Sequence, residues 1–157
     1  MHIHRAMRIV LIILSSLILA FIWLNSFLPA EISQKISNMV QKILGIDSTQ
    51  YAVRKAGHFT EFLFLGLFLS LLVNTVVKRI KDRVFCLPFF AVFVPLIDET
   101  IQLFSPGRSA EVKDIWIDIG GFLVGCAVAV VLLLISAFIS SRRLKIKTTK
   151  DCTKYGE

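Results

Sequence analysis

Cysteine is scarce in this chain. There are three among 157 residues, with no Cys-x-x-Cys pair and no spacing that suits zinc, so neither a disulfide framework nor a thiolate metal centre is expected. Cys86 and Cys126 fall in apolar runs and Cys152 in a basic tail; S-palmitoylation of Cys86 near a membrane boundary is the one modification this pattern allows. Also missing is a stripe of cations interleaved with aromatics. The formal charge is +7, yet Lys and Arg sit in short clusters between apolar runs, as topology signals do, so nucleic acid is not an expected partner. A small-x-small cleavage pattern is absent too. The first apolar run ends in Leu28-Pro29-Ala30-Glu31 and is longer than a signal h-region, so it reads as a retained transmembrane helix.

Apolar surface is what the chain has in quantity. Its 157 residues are one domain's worth of material, and 55% are hydrophobic, too many for a soluble domain of this size. Four runs, over residues 9–28, 58–77, 84–104 and 115–139, each supply the ~20 residues that cross a bilayer core. The 13 Phe residues lie mostly inside these runs, as lipid-facing or packing side chains. Pro88 and Pro95 are expected to kink the third crossing rather than end it. Between the first two crossings, Ile32, Ile36, Met39, Val40, Ile43 and Leu44 recur at helical spacing, with Pro29 before and Gly45 after as start and stop signals. This segment is expected to be an interfacial amphipathic helix rather than a substrate lid. The fold class is therefore all-α, a polytopic membrane protein with four transmembrane helices plus one outer-face amphipathic helix.

Loop charges give the sidedness. Arg5 and Arg8 precede crossing one; Lys78, Arg79, Lys81 and Arg83 follow crossing two; Arg142, Arg143, Lys145, Lys147, Lys150 and Lys154 fill the tail. These are twelve of the 18 cations, so both termini are expected in the cytoplasm. The polar residues of the crossings then sort to the opposite level: His58 and Glu61 on crossing two, Asp98, Glu99 and Gln102 on crossing three, Asp114 and Asp118 on crossing four. Asn74 and Ser70 are the mild exceptions in the cytoplasmic halves. His58 and Glu61 are i,i+3, while Asp98 and Gln102, like Asp114 and Asp118, are i,i+4, so each pair shares a helix face. Glu61 and Asp118 are expected about one turn inside their helix ends. Ionisable groups at membrane depth mark a function or a partner, and an extracytoplasmic pocket is the expectation.

Two blocks, VRKAGHFTEFLFLG from Val53 and DETIQLFSPGRSAEVKDIWIDIGGFLVG from Asp98, closely resemble the VanZ-like family of small bacterial membrane proteins. The matching positions are Arg54, Lys55, His58, Phe59 and Glu61 in the first, and Asp98, Glu99, Gln102, Gly107, Arg108, Asp114, Asp118, Gly120, Gly121 and Gly125 in the second. Phe62 departs from the Tyr of many relatives. Crossing one and the tail carry no recognised motif. The resemblance implies the bacterial cytoplasmic membrane and cell-envelope chemistry, because the name-giving member is linked to low-level teicoplanin resistance; it supplies a process rather than a reaction. Residues 1–157 are read as one domain, its motif-bearing part about 53–139 and its basic cytoplasmic tail 140–157.

Several readings of the cluster stand open. As an enzyme, His58, Glu61, Asp98 and Asp118 supply acid and base. Arg108 clamps a phosphate or carboxylate, with Lys55, Glu99, Gln102 and Asp114 as further substrate-binding residues. The partner is a membrane lipid or lipid-linked cell-wall precursor. A divalent metal on His58, Glu61, Asp98 and Asp118 is the less favoured alternative, with only one well-placed His, so no cofactor and no metal ligand are assigned. A non-catalytic binder or scaffold is another: the acids and Arg54, Lys55, Arg108 and Lys113 then neutralise one another. Glu111 and Lys113 read as solvated loop charges, and Glu99 as facing a headgroup. Gly121 and Gly125 form a Gly-x-x-x-Gly step for helix packing, homodimerisation being its alternative use; oligomeric state is otherwise open. His2 and His4 sit in a leader too short for a metal site, and the basic tail is expected against anionic headgroups.

Overall fold

The computed structural model describes residues 2–45, 49–109 and 111–154, with side chains for all of these except 2–4, 44 and 143–154. The expectations for His2, His4, Cys152 and the tail cations from Arg143 onward concern side chains outside the described ones. Five helices follow in order: α1 His2–Phe27, α2 Ala30–Leu44, α3 Gln50–Val76, α4 Ile80–Leu103 and α5 Val112–Lys154. Four stretches, Arg5–Phe27, Gln50–Val76, Ile80–Leu103 and Val112–Arg142, are long and apolar enough to span a membrane. The bundle's outward faces are apolar as well, with side chains such as Phe85, Phe89 and Leu134 exposed. Such a surface is at home in hydrocarbon, so the protein is a multi-pass membrane protein.

Local chemistry moves some boundaries. Thr49 caps α3, its hydroxyl accepting from the Ala52 amide at 3.3 Å, so the helix starts at Gln50, two turns before the expected crossing. Glu61 is therefore 11 residues beyond the helix start, about 16 Å of helix rather than one turn. Asp118 is six residues beyond Val112, about 9 Å. The helix α4 runs through both Pro88 and Pro95. At its other end α5 continues as helix to Lys154, so the tail is not a separate irregular segment.

Pro29 and Gly45 bound α2 as expected, with Gly45 in the left-handed conformation at φ 62°. This helix rests on α3 with Ser33 and Ser37 buried, while Ile32, Ile36, Met39 and Ile43 are exposed. The apolar stripe thus faces outward, where only lipid satisfies it. A turn closes the same end of the bundle: the Arg108 amide donates to the Ser105 carbonyl at 3.2 Å, with Pro106 second and Gly107 third at φ 74°. Only a residue without Cβ takes that φ without strain. The turn is sewn to α1 and α2, because Ala30 N donates to Pro106 O at 3.1 Å and Ser105 Oγ to Ser26 O at 2.6 Å.

The core joins Ile22 of α1, Phe62 and Leu65 of α3, Ala91 and Val94 of α4 and Phe122 of α5. Phe62 is fully buried within it, so the missing hydroxyl leaves nothing to satisfy. The most extensive interface is α3 against α5. A Cβ at Gly121 would overlap the Phe59 carbonyl, one at Gly125 the Leu63 carbonyl, and one at Gly66 the Phe122 carbonyl. The Gly-x-x-x-Gly step is therefore used within the chain, with Gly66 answering it from α3. Helix backbones in contact cannot yield, so Gly121→Ala and Gly125→Ala are each expected to lower the thermal midpoint in detergent, by about 1–3 kcal/mol of stability. Gly57, whose Cβ would meet nothing within 4 Å, is the control: Gly57→Ala stabilises the helix, by about 0.5–1 kcal/mol.

Candidate functional site

The close α3–α5 contact sets one wall of a polar cluster at the end of the bundle near the 105–108 turn. Here α3 carries Lys55, His58 and Glu61, α4 carries Asp98, Glu99 and Gln102, and α5 carries Asp114 and Asp118. Asp98 and Asp118 are fully buried, and Lys55, His58, Glu99 and Gln102 are buried. All the residues singled out on the three helices therefore come to one end of the molecule, and α1 adds two more. Asn25 Nδ2 donates to Glu61 Oε1 at 2.9 Å, and Ser26 Oγ to Asp98 Oδ1 at 2.6 Å. Sequence reasoning missed both. The available signal was a polar pair in the last turn of an otherwise apolar crossing, at the same level as the acids.

Asp98 is held on both sides, since Gln102 Nε2 donates to its Oδ2 at 2.9 Å; the i,i+4 spacing is realised as a hydrogen bond. His58 Nδ1 stands 3.9 Å from the same oxygen. Neither oxygen of Asp118, nor His58 Nδ1, Glu61 Oε2 or Glu99 Oε1, has a hydrogen-bond partner among the described residues. The other Glu99 oxygen accepts from the Glu111 amide at 3.1 Å, so Glu99 points into the bundle rather than toward a headgroup.

Cations are few at this depth. Lys55 bonds Asp114 directly, lies 4.0 Å from Glu111 and sits over the Tyr51 ring at 4.9 Å. Two of the sequence-selected binding residues thus meet each other, and Glu111 belongs to their pair rather than to solvent alone. Lys113 is exposed, as a loop charge should be. Arg108, half-buried, reaches back from the turn to donate to the Asn25 carbonyl at 3.3 Å, while its Nε and second terminal nitrogen lack partners among the described residues. Burial, then repulsion from Arg54, lowers its pKa from the ordinary value; Asp98, Glu61 and Glu99 oppose the change. The ordinary value is so high that the side chain stays cationic at neutral pH. Among the described residues no Lys or Arg nitrogen comes within 4.0 Å of Glu61, Asp98, Glu99 or Asp118. Mutual neutralisation thus accounts for Lys55, Asp114 and Glu111, and leaves the deeper carboxylates without a Lys or Arg partner among the described residues.

Beside the cluster, a groove of about 650 Å³ runs between α1, α2 and α3. Its lining includes the apolar Phe21, Leu24, Ile36 and Val40 and the polar Asn25, Arg54, His58 and Glu61. A neighbouring cavity of about 710 Å³ shares Phe21, Val40 and Glu61 and extends along α3 to Phe64.

These features define a class: a multi-pass helical membrane protein with a polar site sunk between helices at one end of an apolar bundle and flanked by an apolar groove. A family model described as VanZ/LLP1 matches residues 11–135. The chain belongs to that family, and the match takes in α1, which carried no recognised motif. No curated protein and no solved structure matches it.

The Lys55–Asp114 pair can be weighed by removing it in two ways. Lys55→Met strands a mostly buried carboxylate and is expected to cost roughly 3 kcal/mol of stability. Adding Asp114→Leu should recover most of that loss in the same melting measurement.

Proposed function

We propose that the protein acts at the extracytoplasmic face of the bacterial cytoplasmic membrane, on a lipid or lipid-linked cell-wall precursor. The observation that carries this reading is the groove between α1, α2 and α3, whose lining joins apolar side chains to Asn25, Arg54, His58 and Glu61. Such a groove matches an amphiphile: a chain along Phe21, Leu24 and Val40, and a headgroup at the acids. Arg108, with two nitrogens lacking partners among the described residues, suits a phosphate or carboxylate on that headgroup. His58, Glu61, Asp98 and Asp118 are the acid/base set, buried where a positioned proton donor or acceptor is most effective. Lys55 and Asp114 hold α3 to α5 above the site, nearer the starts of both helices, and Glu99 and Gln102 line and brace it. A part in glycopeptide (teicoplanin) resistance, the process that family membership suggests, belongs to this proposal. The scaffold reading draws on the Lys55–Asp114–Glu111 set and on the hydrogen bonds that tie Glu61 to Asn25 and Asp98 to Ser26 and Gln102.

Orientation rests on the loop cations, twelve of which flank the end of the bundle opposite the cluster. Single cysteines placed at Lys113 and at Lys81 test it: in whole cells an impermeant thiol reagent should label the first and not the second. The reverse pattern would put the site in the cytoplasm. For the chemistry, the purified protein is incubated with a panel of envelope phospholipids and polyprenyl-linked precursors, and products are read by mass spectrometry. Glu61→Gln and Asp98→Asn are expected to slow conversion by about 100-fold or more while the variants still fold. Saturable lipid binding without product would replace the enzyme by a binding protein.

A further inference from the structure

We infer that His58, Asp98 and Asp118 form a binding site for a divalent transition-metal ion of the zinc or manganese type. The three residues come from three different helices, α3, α4 and α5, so no spacing along the chain announces them. In the folded bundle one ligand atom from each lies within 4.8 Å of the other two. Ligands at about 2.1–2.5 Å from an ion are up to about 4–5 Å apart, so the triangle is of the size that one ion spans.

A second observation points to a ligand there. Asp118 is fully buried and neither of its oxygens has a partner among the described residues; His58 Nδ1, also buried, has none either. Buried carboxylates are ordinarily hydrogen-bonded, paired with a cation or bound to metal. Among the described residues Asp118 has no hydrogen-bond partner, and no Lys or Arg nitrogen lies within 4.0 Å of it. Metal coordination answers both deficits at once.

The surroundings fit the assignment. Asp98 is oriented by Ser26 at 2.6 Å and Gln102 at 2.9 Å, the outer-layer hydrogen bonding that holds a ligating carboxylate in place. One imidazole with two carboxylates is a borderline donor set, suited to zinc or manganese better than to a soft ion. Three protein ligands leave coordination positions open, the arrangement of catalytic rather than structural sites. With the ion bound, His58, Asp98 and Asp118 would serve as its ligands and Glu61 would remain as the acid/base group, the ion adding a Lewis acid to the proposed lipid chemistry, a role that rests on that proposal. Binding of the ion does not depend on it.

The test uses the whole protein in detergent, stripped with chelator and then titrated with Mn²⁺, Zn²⁺, Mg²⁺ or Ca²⁺ alone. Expected are about one equivalent of Mn²⁺ or Zn²⁺ per chain by elemental analysis and a rise in the thermal midpoint with that ion. Bound Mn²⁺ should show nitrogen coupling in its electron spin resonance, from the His58 ring. Asp118→Asn and His58→Gln should weaken binding by about 100-fold or more, and Ser26→Ala by about 10–100-fold. The spin resonance of the unaltered protein keeps the test decisive if a variant fails to fold. No retained ion at millimolar metal, absence of nitrogen coupling, or affinity unchanged in Asp118→Asn and His58→Gln would overturn the site. Metal binding without lipid conversion defeats only the lipid proposal; conversion that survives complete chelation defeats only the metal's part in it.

Discussion

Burying carboxylates in an apolar bundle is the constraint on which the rest of this structure depends. Asp98 and Asp118 are fully enclosed in a molecule whose outer faces are hydrocarbon-like, and an ionised group there is stable only with compensating partners. The protein satisfies the two acids unequally. Ser26 and Gln102 each hold one oxygen of Asp98, whereas Asp118 faces the same space with both oxygens unpartnered among the described residues. A bundle organised for stability alone would have matched both. The asymmetry leaves an unmatched carboxylate beside an apolar groove, and the proposed ligand site rests on it.

Two features keep that centre together. The contact between α3 and α5 is close enough that Gly66, Gly121 and Gly125 each face a carbonyl of the opposing helix, and this proximity places Asp118 within reach of His58. The other is the turn from Ser105 to Arg108, whose Pro–Gly pair lets the chain reverse and whose hydrogen bonds reach Ser26, Asn25 and Ala30. The turn links the α4–α5 connection to α1 and α2, so the side of the bundle carrying the groove is tied to the side carrying the acids. The Lys55–Asp114 pair adds a charged tie across α3 and α5 above them.

The helix α2 shows how a membrane environment inverts the usual reading of an amphipathic helix. In water its Ile and Met stripe would turn inward; here Ser33 and Ser37 pack toward the bundle while Ile32, Ile36, Met39 and Ile43 face out. Ser37 can be buried because it finds an acceptor locally, its Oγ donating to the Ser33 carbonyl at 3.0 Å. Part of the exposed stripe, Ile36 with the neighbouring Val40, also borders the groove.

The sequence by itself determined the four crossings, the amphipathic helix, the glycine step and the gathering of His58, Glu61, Asp98 and Asp118 at one level, because apolar run length, helical period and the cost of membrane charge are all local. Pro29, Gly45 and the Pro106–Gly107 turn were legible for the same reason. Only the tertiary structure decided which polar groups meet. Lys55 goes to Asp114, Gln102 to Asp98, Asn25 to Glu61 and Ser26 to Asp98, while Asp118 remains unmatched beside His58. Those choices depend on helix rotation and on the distance between axes, which are set by packing contacts between residues far apart in the chain.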